Sequence, residues 1–209
     1  MVPTSPEIIL YGTEFSGHTH RVELLLRMLG LPYRFEKAPA EVRCTGKFRQ
    51  LNPLGQIPVL QDGDRTLADS NAILVYLAKR YGPETQWLPE QPDAAARVQR
   101  WLSIAAGEVR YGPAMARMIV QWNFPGTLAD SKQIAGALLG FMDEHLTSRA
   151  FLAADHATIA DLACYSYVGH APEGGVSLDE YAAVRAWLRR VEALPRFTPI
   201  PPLPLPPRT

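Results

Sequence analysis

A proline lies inside an apolar run that otherwise suits a β-strand, in the segment Asn52-Pro53-Leu54-Gly55-Gln56-Ile57-Pro58-Val59-Leu60. Proline donates no hydrogen bond to a strand ladder, so it belongs at a sheet edge or follows a cis peptide bond. A cis Ile57–Pro58 bond turns the neighbouring amide and carbonyl outward, where a peptide-like ligand pairs with them as an added strand. The run therefore predicts a main-chain site for a peptide, and an ordinary edge-strand proline is the alternative.

The histidines and cysteines do not form a metal or redox motif. His18 and His20 are two residues apart, so on a helix they point in different directions, and we expect solvated or capping roles for both. Cys44 and Cys164 lie far apart and form no Cys-x-x-Cys pattern. This spacing disfavours a disulfide scaffold, a zinc site and thiol–disulfide exchange. We expect Cys164 in the core and no bound metal.

The composition excludes several classes of partner. Among 209 residues, 47% are hydrophobic and 20% are charged, which is typical of a folded chain. Lys and Arg together number 21, as do Asp and Glu, so the formal net charge of 0 disfavours nucleic acid and anionic membranes. The sequence starts without a secretory leader and has no run of about 18 apolar residues, so we expect a cytoplasmic protein that spans no membrane. We expect Arg21 at the surface as a partner of Glu23 or Glu36, with a ligand role as the alternative.

The first part of the chain must position the proline turn, and its pattern alternates strands with helices. Residues 8–11 and 33–36 suit strands, and the helix between them carries an apolar stripe of Val22, Leu25, Leu26 and Leu29. A short helix over residues 41–51 and a hairpin over residues 57–67 follow. Asp69-Ser70-Asn71 caps a further helix. The order βαβαββα predicts an α/β unit, a four-stranded sheet with helices on both sides.

The rest of the chain is predicted to be helical. A linker over residues 82–93 contains three prolines, and we place the domain limits at 1–81 and 94–209. One long helix is expected from an N-cap at Asp93 to Ile119, with others over residues 130–147, 162–168 and 184–191. Thr158-Ile159-Ala160-Asp161 matches a capping box. The proline-rich end, residues 199–209, is expected as an extended surface strap, with docking to an SH3-like groove as the alternative.

These motifs, taken in order, resemble those of the cytosolic glutathione S-transferases, and in particular bacterial members of the serine type rather than the tyrosine or cysteine type. The resemblance covers nearly the whole chain and rests on five segments, namely Ser16-Gly17, Asn52 to Leu60, Asp69 to Ile73 before Tyr76-Leu77, Thr158 to Asp161, and Trp187-Leu188 through Leu194-Pro195. It implies a thioredoxin-like N-terminal domain, an all-helical C-terminal domain, a detoxifying transferase and a two-fold homodimer.

The resemblance also implies the glutathione site. Ile57 would pair its main chain with the cysteinyl unit, Pro58 would hold the turn, and Gln56 would lie beside them. Ser70 and the free amides of its helix suit the α-carboxylate of the γ-glutamyl end, and Asp69 suits its ammonium. Plain N-capping is the alternative role for these last two residues.

Activation of the glutathione thiol needs a donor that stabilises the thiolate. A thiol has a pKa of about 8.5, and lowering it by about two units takes roughly 2.7 kcal/mol. By resemblance to the serine-type members, Ser16 supplies that hydroxyl, with Thr13, Thr19 and Tyr11 as rivals. Aligning the sequence on Gly17 displaces Tyr11 by one residue, so it should face the other side of the sheet.

We expect the long helix predicted from Asp93 to Ile119 to form the binding surface for the electrophile. Tyr111, Met115 and Met118 follow each other at i, i+4 and i+7, which would place an aromatic ring and two thioethers on one helical face. Interdomain core is the alternative role for that stripe. We therefore expect a glutathione transferase acting on a small apolar electrophile. A glutathione-dependent cis-trans isomerase, partly echoed by His20-Arg21-Val22, and a noncatalytic binding protein are the alternatives.

Overall fold

The structure, a computed structural model, describes residues 8–82 and 87–206 of the chain. The described residues form two compact units: residues 8–82 with Pro195–Ile200, and residues 87–194 with 201–206. The predicted domain limits stay predictions, and residues 83–86 of the predicted linker lie outside the described residues. Within the described parts of the chain, no helix is long and apolar enough to cross a membrane.

The first unit is built on a mixed four-stranded sheet. Its strands are β1 (Ile8–Gly12), β2 (Tyr33–Lys37), β3 (Val59–Asp62) and β4 (Arg65–Ala68), in the order β2-β1-β3-β4. β1 and β2 are parallel, whereas β3 is antiparallel to both β1 and β4. The predicted strands and hairpin are therefore confirmed, and β1 lies in the middle of the sheet because its apolar run is buried.

Helices cover both faces of this sheet, in agreement with the sequence pattern. They are α1 (Gly17–Met28), α2 (Ala40–Arg43), α3 (Gly46–Leu51) and α4 (Ser70–Tyr81). The single helix predicted over residues 41–51 is instead two short helices, because Thr45 caps the second one through a hydrogen bond to the Phe48 amide. Phe48 packs with Ala38 and Val59, and Tyr11 contacts this cluster.

The second unit contains only helices and irregular segments in the part that the structure describes. Its α-helices are α5 (Pro92–Ala106), α6 (Glu108–Tyr111), α7 (Pro113–Trp122), α8 (Leu128–Leu146), α9 (Ile159–Gly169) and α10 (Ala182–Glu192), with a 3₁₀ helix at Ala171–Gly174. The predicted fold class, an α/β unit followed by an all-helical one, is confirmed. Gln91, not Asp93, caps α5 through its side-chain oxygen.

The capping box at the start of α9 is present and ties the second unit together. The buried Asp161 carboxylate accepts from the Thr158 and Leu152 amides and from the Trp187 indole, each at 2.9 Å. Burial raises the pKa of Asp161, and these hydrogen bonds act in the opposite direction. One side chain therefore joins the α9 start, the preceding loop and α10.

The long helix predicted from Asp93 to Ile119 is wrong, because glycines break it at two places. The backbone leaves the α-helical region at Gly107 and Gly112, which separate α5, α6 and α7. A Cβ at Gly112 would lie 2.7 Å from the Glu108 oxygen and 2.9 Å from the Ala135 nitrogen. Glycine is therefore needed where α8 approaches this backbone most closely.

The proline-rich end has no regular secondary structure in its described part, and hydrogen bonds hold two of its residues. Residues 199–206 contain neither helix nor strand. In the second unit, the Leu203 amide donates to Glu173 Oε1 at 3.0 Å, and the Gln121 amide donates to the Pro204 oxygen at 2.9 Å. These bonds support the predicted surface strap over its described part, and residues 207–209 lie outside it.

Candidate functional site

Three chain segments that carry predicted site residues leave the sheet at the same edge. In the antiparallel ladders Val59 pairs with both Tyr11 and Ala68. The carboxyl ends of β1 and β4 and the amino end of β3 therefore meet at this edge. Ser16, the Ile57–Pro58 turn and Ser70 follow or precede those strand ends by a few residues. We call these three segments the cradle.

Ser16 caps α1 and lies at the amino end of that helix. Its Oγ accepts from the Thr19 amide at 3.2 Å, and its own amide donates to the Thr13 oxygen at 3.2 Å. The side chain is half-buried, and a hydroxyl oxygen that accepts one bond still has its O–H to donate. Ser16 therefore combines a hydroxyl donor with the positive end of a helix dipole.

One rival hydroxyl is hydrogen-bonded elsewhere, and a second is buried. The Tyr11 hydroxyl donates to Gln61 Oε1 at 2.7 Å, and its ring packs edge-on against Phe48. Gly12 faces α1, since a Cβ there would lie 2.9 Å from Thr19 Cβ, so Tyr11 faces the opposite side as predicted. Thr19 is buried beneath Gly12. Thr13 is half-buried and remains the nearest rival to Ser16.

The Ile57–Pro58 peptide bond is cis, as the sequence predicts. Both residues precede β3, whose ladders begin at Val59. The buried Asn52 holds the loop before them, because its amide donates to the Gln56 oxygen at 2.9 Å and its oxygen accepts from the Leu54 amide at 3.1 Å. The turn is thus held by side-chain bonds on its inner side, and the Gln56 side chain is exposed.

Asp69 and Ser70 form the start of α4. Asp69 has a φ of 73°, and its carboxylate accepts from the Asn71 and Ala72 amides, both at 2.9 Å. The predicted cap is therefore present. Ser70 is only 4% exposed, and its hydroxyl contacts side chains of α1.

Arg21 is not a surface residue, and its predicted pairing with Glu23 or Glu36 is wrong. It is 1% exposed, and its guanidinium Nη1 donates to Asn71 Oδ1 at 2.9 Å and to Ser70 Oγ at 3.3 Å. Arg21 lies four residues before Leu25 on the apolar face of α1, which directs it inward toward α4. This helical spacing could have indicated from the sequence that Arg21 is buried.

The two histidines of α1 are not simply solvated. His20 is buried, and its Nε2 lies 2.7 Å from the Thr198 oxygen, with the Phe197 ring edge-on to the imidazole. The expected solvated or capping role of His20 is therefore wrong, because residues of the Pro195–Ile200 segment pack over it. His18 is half-buried, and its Nδ1 lies 3.3 Å from Ser70 Oγ.

The three predicted electrophile residues all belong to the second unit but do not share one helix. Tyr111 ends α6 and is 56% exposed, whereas Met115 and Met118 lie in α7 and are half-buried. The single-face arrangement is wrong because Gly112 separates the two helices. A cavity of about 500 Å³ in this unit is lined by other residues, namely Arg100, Ile104, Glu108, Ile134, Ala137, Leu138 and Phe141.

Comparison with known proteins identifies the family. The family model described as the glutathione S-transferase N-terminal domain matches residues 10–85, and that of the C-terminal domain matches residues 127–195. The chain is 32% identical over 197 residues to mouse glutathione S-transferase theta-3, covering 88% of this chain and 81% of that protein. The chain belongs to the glutathione S-transferase family.

Solved glutathione S-transferase structures have the same fold. A crystal structure from Xanthobacter autotrophicus matches with a TM-score of 0.87 and 31% identity, over 94% of this chain and 98% of that one. A theta-class enzyme from Xanthomonas axonopodis pv. citri, with glutathione bound, matches with a TM-score of 0.83 and 25% identity, over 91% and 95%. The present chain is accordingly a glutathione S-transferase enzyme with the thioredoxin-like N-terminal domain of its family.

The metal-ligating side chains and the cysteines of this glutathione S-transferase lie apart in residues 8–82 and 87–206. No group of three or more His, Cys, Asp or Glu side chains there is arranged to hold a metal ion. Cys164 is fully buried in α9, which confirms its core role, and Cys44 is exposed. The polar groups at the cradle are hydroxyls, amides, the Asp69 carboxylate and two α1 side chains, His18 and Arg21.

Proposed function

We propose that this glutathione S-transferase uses Ser16 to hold the glutathione thiol as a thiolate and directs it at a small apolar electrophile. The observation that carries the proposal is the position of the Ser16 hydroxyl at the amino end of α1, on the sheet edge shared with Ile57 and Ser70. A hydroxyl donor and a helix amino end both favour an anion over its neutral form.

Glutathione is a peptide with charged ends, and the cradle offers a matching group for each part. Ile57, outside the strand ladders, pairs its main chain with the cysteinyl unit, with Pro58 fixing the turn and Gln56 beside it. The start of α4 receives the γ-glutamyl end: the Ser70 hydroxyl and nearby amides take the α-carboxylate, and Asp69 takes the ammonium. The glutathione-bound neighbour from Xanthomonas supports this assignment at the level of the family.

The reaction then needs only proximity and the thiolate. The thiol proton leaves to solvent, the sulfur keeps its electron pair, and Ser16 donates its O–H to the anion. The sulfur attacks the electrophilic carbon of the second substrate, and the bond to the leaving group breaks with its electron pair. Holding both reactants replaces a bimolecular encounter by a step within one complex.

The proposal also covers the electrophile and the oligomeric state of the protein. Tyr111, Met115 and Met118 remain the proposed contacts for an apolar electrophile, since thioethers and an aromatic ring adapt to varied apolar groups. We also propose a homodimer, a detoxifying role, a bacterial source and a cytoplasmic location. Sedimentation equilibrium tests the dimer, and a panel of electrophiles tests the substrate class.

Calorimetry and turnover together separate this proposal from its alternatives. Glutathione binding with turnover of halogenated aromatics or epoxides supports the transferase, whereas turnover confined to a maleyl diketo acid supports the isomerase. Binding without any turnover supports a noncatalytic protein. No heat and no thermal shift at millimolar glutathione would refute the glutathione site itself.

A further inference from the structure

Two side chains of α1 converge on one hydroxyl of α4. The Ser70 Oγ lies 3.3 Å from Arg21 Nη1 and 3.3 Å from His18 Nδ1. Ser70 and Arg21 are 4% and 1% exposed, so water competes little for these bonds. His18 and Arg21 are three residues apart on α1, which places them on the same face of the helix. The contacts of Arg21 and His18 with Ser70 Oγ are therefore part of the packing between α1 and α4.

The chemistry of the three groups limits the direction of the hydrogen bonds. A guanidinium only donates, so Ser70 Oγ accepts from Arg21. A serine oxygen has two acceptor lone pairs, so it also accepts from His18 when the imidazole carries its proton at Nδ1. With both lone pairs used in this way, the single Ser70 O–H is left to donate to a further acceptor.

We propose that Arg21 and His18 are positioning residues that set the Ser70 hydroxyl for the α-carboxylate of the γ-glutamyl unit. The inference rests on the proposed function, because Ser70 is the proposed contact of that carboxylate. Arg21 and His18 both donate to the Ser70 oxygen and hold it in place. When glutathione binds, the free Ser70 O–H donates to the carboxylate, and every proton stays on its own atom.

This arrangement has a physical advantage over a free serine at a helix start. Donation from a cation polarises the Ser70 hydroxyl and makes it a stronger donor to an incoming anion. Arg21 also donates to Asn71 Oδ1 at 2.9 Å, so the same guanidinium fixes two neighbouring residues of the α4 start. The effect of both residues is therefore expected in glutathione affinity and not in the rate of the bound complex.

The test compares two ligands in matched variants of the whole protein. The first ligand is glutathione, and the second is 4-aminobutyryl-cysteinyl-glycine, which lacks only the α-carboxylate. The variants are His18→Leu, His18→Asn, Arg21→Met and Ser70→Ala, with Lys79→Met as an exposed control on the same helix as Ser70. Calorimetry gives each dissociation constant, and turnover gives kcat and KM for glutathione.

For His18→Leu we expect an affinity for glutathione that is weaker by about 2-fold to about 12-fold, which corresponds to one net hydrogen bond of about 0.5–1.5 kcal/mol. The kcat should stay within about twofold of the parent value. Affinity for the analogue should not change, since the carboxylate that Ser70 serves is absent. His18→Asn should restore most of the glutathione affinity, because its side-chain N–H can donate to the Ser70 oxygen. Arg21→Met should show the same ligand dependence.

The inference is overturned if His18→Leu weakens both ligands equally or leaves glutathione affinity unchanged. If Arg21→Met does not fold, the two His18 variants and Ser70→Ala decide the question alone. If the proposed function itself is wrong, the parent protein binds neither ligand in calorimetry. That result is distinct from a failure of the inference, in which the parent binds glutathione normally.

Discussion

Replacing Ser16 by Ala should raise the pKa of the bound glutathione thiol and slow turnover near neutral pH. A hydrogen bond to a charged group contributes about 1.5–3 kcal/mol, and one pKa unit corresponds to about 1.4 kcal/mol, so the thiol pKa should rise by about 1–2 units. The α1 amides and the dipole remain, so glutathione affinity should change less than the rate.

The size of the rate effect follows from the thiolate fraction. If the parent holds the thiol pKa about two units below its usual value of about 8.5, the thiolate fraction near pH 7 falls by about 3-fold to about 25-fold in the variant. The less acidic thiolate is also the stronger nucleophile, which offsets part of this loss. At alkaline pH the variant should therefore approach the rate of the parent.

The assay is ultraviolet absorption of the bound thiolate across a pH series, run beside kcat at the same pH values. Ser16→Thr keeps a hydroxyl and the helix cap, and it should retain a low thiol pKa. Thr13→Val removes the nearest rival hydroxyl and leaves the Thr13 carbonyl that accepts from Ser16. An unchanged thiol pKa in Ser16→Ala, or an upward shift in Thr13→Val alone, would remove Ser16 from its role.

Three further predictions concern the stability of the two units. Asp161→Ala should lower the free energy of unfolding by at least about 3 kcal/mol, because it leaves the Leu152 and Thr158 amides and the Trp187 indole buried and unpaired at about 1–3 kcal/mol each; urea unfolding measures this, and the exposed Asp130→Ala is the control. Burial lowers the pKa of His145, so the folded state disfavours its protonation and stability should fall as the pH drops below about 6.5, the unfolded value. His145→Gln should flatten part of that slope, and an unaltered slope would contradict the assignment. Gly12→Ala should lower the melting temperature by several degrees, since its Cβ meets Thr19, whereas a melting temperature equal to the parent's would show that α1 shifts freely.

Much of the cradle was predictable because its signals are local. The Ile57–Pro58 turn, the cap at Ser16 and the cap at Asp69 each follow from the residue types of a few consecutive positions. The capping box of Thr158 and Asp161 has the same character. Such motifs satisfy backbone groups within their own turn, so their geometry hardly depends on distant parts of the chain.

The parts that sequence reasoning missed depend on contacts between distant segments. Arg21 donates to residues 49 and 50 positions away, and His20 meets Thr198, 178 positions away. The position of Arg21 on the apolar face of α1 indicates burial, but no local pattern identifies the distant residues that contact Arg21 and His20. Gly112 is similar in part, since the approach of Ala135 on α8 adds a distant contact to the local one with the Glu108 oxygen.

The most direct measurement of the central claim is a crystal structure of the protein soaked with reduced glutathione. We predict the sulfur within about 3.5 Å of Ser16 Oγ, the cysteinyl main chain paired with Ile57 and the γ-glutamyl carboxylate at Ser70. Glutathione bound with its sulfur beside another group, or with its glutamyl end away from α4, would contradict the account.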